Sequence, residues 1–237
     1  IKKAVVERLK SKYNISWFKE TDTEYKVRFS IHKNKVTMMI DTSGEGLHKR
    51  GYRQTQGEAP LKETLAAALV YISKWNPNRP FYDPFCGSGT IALEAAMIGQ
   101  NIAPGYNREF ISEEWPWMKK AIWEQAREEA DKLANYDQEL NIIGSDIDHK
   151  MVAIAQENAA EAGFGDLITF KQMTAPDFTT LDTDGVMIGN PPYGERIGDI
   201  EVIEEVIRKL GDKMKNYPTW SVYMLSSMEN FEVLYGK

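Results

Sequence analysis

Cysteine is nearly absent from this 237-residue chain, and the single Cys86 excludes an intrachain disulfide or a multi-cysteine metal site. Histidine is almost as scarce: His32, His48 and His149 show no zinc-ligand spacing, so metal catalysis is not expected. No apolar run approaches the roughly 18 residues needed to cross a bilayer, no amino-terminal signal pattern is present, and repeats and low-complexity tracts are missing. The expectation is a soluble, cytoplasmic protein. A starting methionine is lacking too. The chain opens with Ile1 and enters a helix-like run at once, from which an amino-terminal portion outside this sequence is expected.

Hydrophobic residues make up 42% and charged residues 27%, an ordinary globular balance that allows one good-sized domain with an appendage or two small domains. The net charge of −6 is unevenly divided: residues 1–55 carry 13 Lys and Arg against 6 Asp and Glu, whereas residues 56–237 carry 16 against 29. A polyanion would be gripped by the basic amino-terminal lobe, because phosphate contact depends on local charge.

Residues 1–12 read as an amphipathic helix. Alternation at Tyr25, Val27, Phe29 and Ile31, a turn at His32–Asn34, and renewed alternation at Val36, Met38 and Ile40 predict a hairpin with one buried face. A helix and two strands are too little to bury a core independently. Residues 41–56, with three glycines and the basic cluster His48, Lys49, Arg50 and Arg53, read as a surface linker balanced between solvation and phosphate contact. From Pro60, placed for a first helical position, helices are expected over about 60–74, 91–99, 112–136, 151–163 and 201–214. Strands are expected at 81–83, 140–143, 167–171, 185–189 and 220–225. Five strands alternating with helices define an α/β doubly wound parallel sheet, Rossmann-like, whose ligands lie outside the strands' carboxyl ends. The domains so drawn are 1–55, a small α+β lobe, and 56–237.

The motifs fall at those strand ends. Asp83-Pro-Phe-Cys-Gly87-Ser-Gly89-Thr90 joins a strand to a helix by a glycine turn, which lets a ligand approach the backbone at a helix start. It also matches the loose dinucleotide fingerprint, but the acid expected about 20 residues later would fall in Ala103-Pro104-Gly105, and Asp83 itself opposes a pyrophosphate. Asp146, ending the next strand, suits the two hydroxyls of a ribose, and Asp177 a base edge. Asp148 reads as a helix cap, Cys86 as a small apolar packing group, and Trp115, Trp117 and Trp123 as packing anchors. Asn190-Pro191-Pro192-Tyr193 must leave the sheet abruptly, because neither proline donates a ladder hydrogen bond. It offers a carboxamide, a proline carbonyl and an aromatic face, which together suit a planar amine. A nucleoside cofactor beside an amino substrate follows, and S-adenosyl-L-methionine fits best: adenosine to Asp146 and Asp177, the charged methionine end to Asp83 and the turn.

These stretches resemble the class I S-adenosylmethionine-dependent methyltransferases that modify amino groups. With Asp41-Thr-Ser-Gly-Glu-Gly-Leu-His-Lys-Arg50-Gly-Tyr-Arg53 and Ala59-Pro-Leu-Lys-Glu63-Thr-Leu-Ala-Ala, the chain is similar to the THUMP-containing guanine-N2 methyltransferases of 23S ribosomal RNA, a group often labelled adenine-specific DNA methylases because it shares the Asn-Pro-Pro-Tyr turn. The resemblance implies Asn190, Pro191, Pro192 and Tyr193 as catalytic residues. It implies Asp83, Phe85, Cys86, Gly87, Ser88, Gly89, Thr90, Asp146, Ile147, Asp177 and Asn190 around the cofactor, and Lys49, Arg50, Arg53 and Arg196 on RNA. Residues 1–55 match only the latter part of a THUMP lobe, and the sheet is expected to lack at least one strand of the family's terminal hairpin. Adenine-N6 methylation of DNA or RNA, glutamine methylation in a protein, and a non-catalytic RNA-binding assembly factor stand as alternatives.

Overall fold

The computed structural model describes residues 2–19, 23–52, 61–192 and 197–236. The chain divides into two compact units, one of Ile1–Glu45 with Phe110–Trp123 and one of Gly46–Glu109 with Glu124–Lys237.

In the first unit, helix α1 (Lys2–Tyr13) is followed by strands β1 (Lys26–His32) and β2 (Lys35–Asp41), paired antiparallel. Lys33 and Asn34 both take positive φ, 48° and 60°, as a two-residue hairpin turn requires. The register puts Val27 opposite Ile40, Phe29 opposite Met38 and Ile31 opposite Val36. The expected buried face is not buried: all six side chains are exposed, and α1 has no buried residue. Among the described residues no second layer covers this two-stranded ribbon. The long helix expected from Ser112 is also corrected. Ile111–Glu114 is a single 3₁₀ turn, Trp115 is extended at φ −70°, ψ 129°, and helix α4 begins only at Lys120, ending at Leu133. Pro116 is the cause, since it disfavours helical backbone at the residue before it. Trp115 packs as expected: it is buried, stacks on Tyr25 at 5.2 Å and donates its indole N–H to the Glu24 carbonyl at 3.1 Å. Trp117 remains exposed.

The second unit contains five parallel strands: β3 (Phe81–Asp83), β4 (Ile142–Asp146), β5 (Ile168–Gln172), β6 (Val186–Gly189) and β7 (Ser221–Met224). Their order is β5-β4-β3-β6-β7. Chain progression therefore reverses between β3 and β6, which makes that gap the switch point where ligands enter a doubly wound sheet. Both faces are covered. On one, Phe81, Val186 and Ile188 pack in a core with residues of α2 (Glu63–Ser73), α3 (Thr90–Gly99) and α5 (His149–Glu161). On the other, Tyr82 and Met187 pack with Phe178 and with Leu210 and Met214 of α6 (Ile197–Met214). Burial on both sides explains the nearly continuous apolar run of β6. A short helix, α7 (Phe231–Tyr235), follows β7. The helix expected from about residue 60 starts instead at Glu63, because Lys62 before it is extended at φ −68°, ψ 137°; Pro60 itself lies outside the described residues.

Candidate active site

Three strand ends meet at the switch point. After β3 the chain turns through Cys86, whose N–H donates to the Ser145 carbonyl of β4 at 2.9 Å, and Gly89, whose N–H closes back on the Cys86 carbonyl at 2.8 Å. Gly87 and Gly89 have φ of +51° and +85°, backbone that side chains rarely adopt. A Cβ on Gly87 would meet nothing within 4 Å, so the turn borders open space there, whereas one on Gly89 would lie 3.0 Å from Phe170. The turn thus packs down on one side and opens on the other. Asp146, ending β4, accepts the Gly87 N–H on Oδ2 at 3.0 Å and the Asp148 N–H on Oδ1 at 2.9 Å. Asp148 caps α5 as expected, accepting the Lys150 N–H at 2.8 Å.

Asp83 is 0% exposed. Its Oδ1 accepts the Phe85 N–H at 3.1 Å, and its Oδ2 has no partner among the described residues. Burial pushes this carboxyl up to about 8, against the Phe85 hydrogen bond and with a smaller push from Asp146. Burial likewise drives the Cys86 thiol far upward, helped by Asp83 and Asp146. An un-ionised thiol is no nucleophile, which agrees with a packing role for Cys86.

A cavity of about 460 Å³ opens over the turn. Among the expected site residues Phe85, Cys86, Gly87, Ser88, Thr90, Asp146, Ile147, Asn190 and Pro192 line it. Asp83 and Gly89 sit behind this lining, and Pro191 is buried. Asp177 does not line it. A 3₁₀ turn at Ala175–Asp177 directs the Asp177 carboxylate to the Thr174 hydroxyl at 2.6 Å, and the wall beyond β5 is made instead by Met173, Thr174 and Ala175. Sequence reasoning also missed Leu61, Met151, Val202, Ile203 and Val206. Tyr193, Arg53 and Arg196 lie outside the described residues.

Arg50 is corrected as a phosphate ligand. Its Nη2 pairs with Glu94 Oε2 at 3.2 Å, its Nε with Oε1 at 3.3 Å, and the Tyr52 hydroxyl donates to the same Oε1 at 2.9 Å. The side chains are 9% and 2% exposed, so the guanidinium neutralises a helix carboxylate inside the fold. Lys49 stays exposed. Replacing Glu94 by Ala leaves a buried cation uncompensated and is expected to destabilise the protein by about 3 kcal/mol, read as a lower urea midpoint at unchanged slope.

The donor set fits a nucleoside bearing a cationic tail: an orphaned buried carboxylate oxygen, a glycine turn open on one side, and a carboxylate at the next strand end. Comparison with known proteins places this geometry. The RMKL-like methyltransferase domain matches residues 50–237. Over the whole chain, 59% of residues are identical to YpsC of Bacillus subtilis (strain 168), named as a candidate RNA methyltransferase, of which the chain spans 62%. Identity is 41% over 96% of this chain to the ribosomal RNA large subunit methyltransferase K/L of Shewanella baltica (strain OS185), of which it spans 33%. The crystal structure of SMU.472, a methyltransferase-like protein complexed with SAH, superposes with a TM-score of 0.91 at 45% identity, covering all of this chain and 63% of that one. The chain belongs to the RMKL-like methyltransferase domain family.

Proposed function

We propose that this protein transfers a methyl group from S-adenosyl-L-methionine to the exocyclic N2 of a guanine in 23S ribosomal RNA. The observation that carries the reading is that Asn190, which follows β6, shares one cavity with the glycine turn after β3 and with Asp146 of β4. On this reading a cofactor site and an amine-holding turn open into the same space. SAH in SMU.472 and the ribosomal RNA named for the K/L relative support the cofactor and the substrate class.

The cofactor supplies a methyl on an already activated sulfonium. Asp146 would accept the ribose hydroxyls, its Oδ2 being held in place by the Gly87 N–H, and Ile147 and Thr174 would flank the adenine. Asp83 Oδ2 would receive the ammonium. A guanine amine is a poor nucleophile, because its lone pair is delocalised into the ring. Acceptance of its two N–H groups by Asn190 Oδ1 and the Pro191 carbonyl would hold it in line and stabilise the positive charge that develops on nitrogen. Alignment supplies much of the rest. Tyr193 would stack on the base, which must be unpaired or flipped to enter.

RNA capture belongs to the first unit in this reading, as a partial THUMP-like lobe. That unit carries 12 Lys and Arg against 8 Asp and Glu, and the second 17 against 27, so a polyanion is drawn to the first. Lys49, Arg53 and Arg196, which belong to the second unit, remain the proposed phosphate contacts there, beside capture by the first. Incubating the protein with unmethylated large-subunit ribosomal RNA and labelled cofactor, followed by nucleoside mass spectrometry, is expected to yield N2-methylguanosine. Label in N6-methyladenosine, or none in RNA, would refute the assignment.

A further inference from the structure

We propose that Asn158 of α5, which does not line the cavity, is the positioning residue that holds the glycine turn in its cofactor-binding shape; this rests on the cofactor reading above. Asn158 is fully buried, and its side-chain amide donates to the Ser88 carbonyl at 3.0 Å across 70 residues of chain. The Ser88–Gly89 peptide is thereby pinned at both ends, because the Gly89 N–H donates to the Cys86 carbonyl at 2.8 Å. Such pinning is needed. Gly87 and Gly89, both at positive φ, flank Ser88, and a segment with two glycines has many backbone states of similar energy. Its one working shape must be imposed from outside.

Two side chains do this from opposite sides. Asp146 accepts the Gly87 N–H beside the cavity, and Asn158 donates to Ser88 from behind. Ala155, one turn earlier on α5, would lie 3.2 Å from a Cβ on Gly89, so the same helix supplies both the donor and the surface against which the turn rests. Only a donor satisfies the Ser88 carbonyl. Without it the peptide is held at its N–H end alone, and its looser carbonyl end carries with it the Gly87 and Ser88 backbone that lines the cavity.

The test compares wild type with Asn158→Ala and Asn158→Ser, using SAH as the probe by titration calorimetry and amide hydrogen exchange over residues 86–90 in the ligand-free protein. Expected are SAH binding weakened roughly tenfold in the alanine variant, less in the serine variant, which keeps a shorter donor, and faster exchange confined to the turn. In turnover, KM for the cofactor should rise by the same factor with kcat at saturation within about twofold. A lower melting temperature with SAH affinity and turn exchange unchanged would overturn the proposal and leave Asn158 a packing residue. Should Asn158→Ala not fold, the serine variant carries the same two readouts. Failure of wild type to bind SAH would sink the cofactor reading, while exchange in the ligand-free protein still decides the positioning role.

Discussion

Asn190→Ala is expected to lower kcat for methyl transfer by roughly 10²- to 10³-fold, the usual cost of deleting one preorganised group aimed at charge that forms in the transition state. Cofactor affinity should change far less, because the proposed nucleoside contacts, the turn, Asp146 and Ile147, line the cavity independently of Asn190. Single-turnover rates with ribosomal RNA, together with SAH titration of the same variant, separate the two quantities. Asn190→Asp sharpens the test: it keeps an acceptor in place and favours positive charge on the amine, so it should retain clearly more activity than the alanine variant. Equal losses in the two variants, or full activity in Asn190→Ala, would reject the carboxamide as the amine acceptor.

The parts of this site that were legible in the sequence are those where one strand end concentrates unusual residues. Asp83 with two glycines, Asp146 after an apolar strand, and Asn190 before two prolines each contradict their local pattern, and a break in local consistency marks function. Val202, Ile203 and Val206 of α6 could not be read that way. They are apolar residues at helical spacing, and only the packed sheet decides which of them front the cavity: Val202 is 62% exposed and Ile203 9%. An apolar stripe wider than one packing face was the available signal. Arg50 sat in a basic cluster that suggested phosphate, while its true partner lay 44 residues away in α3. The clue was Glu94 itself, a lone carboxylate in Leu-Glu-Ala-Ala, because a buried charge must be paired. The hairpin shows the reverse failure. Its alternation correctly predicted the two strands, but alternation says which side chains share a face, not whether anything lies on that face.

Asp83→Asn is expected to weaken SAH binding by at least about a hundredfold at pH 8.5, since it removes the carboxylate proposed to meet the ligand's ammonium in a buried site. The pH profile makes the prediction specific. In the ligand-free protein the Asp83 carboxyl is pushed up to about 8 by burial, with Asp146 adding to the push, so at neutral pH it is mostly protonated. An ammonium beside it favours the ionised form, and binding must then expel the proton. Wild-type affinity should therefore rise about tenfold per pH unit through neutrality and level off above about 8, with close to one proton released per SAH bound at pH 7. Calorimetry in buffers of different ionisation heat counts that proton. The stability of the ligand-free protein has the opposite slope: a carboxyl whose folded value is raised binds more protons folded than unfolded, so its contribution is lost as pH rises from about 4 to 8. The asparagine variant should lose both slopes. Tyr82 and Cys86, which also titrate beside Asp83, are driven upward and stay neutral across this range, so neither produces either slope in its place. A wild-type affinity that is flat from pH 6 to 8.5, or an Asp83→Asn variant that keeps the proton release, would remove Asp83 from the ammonium site.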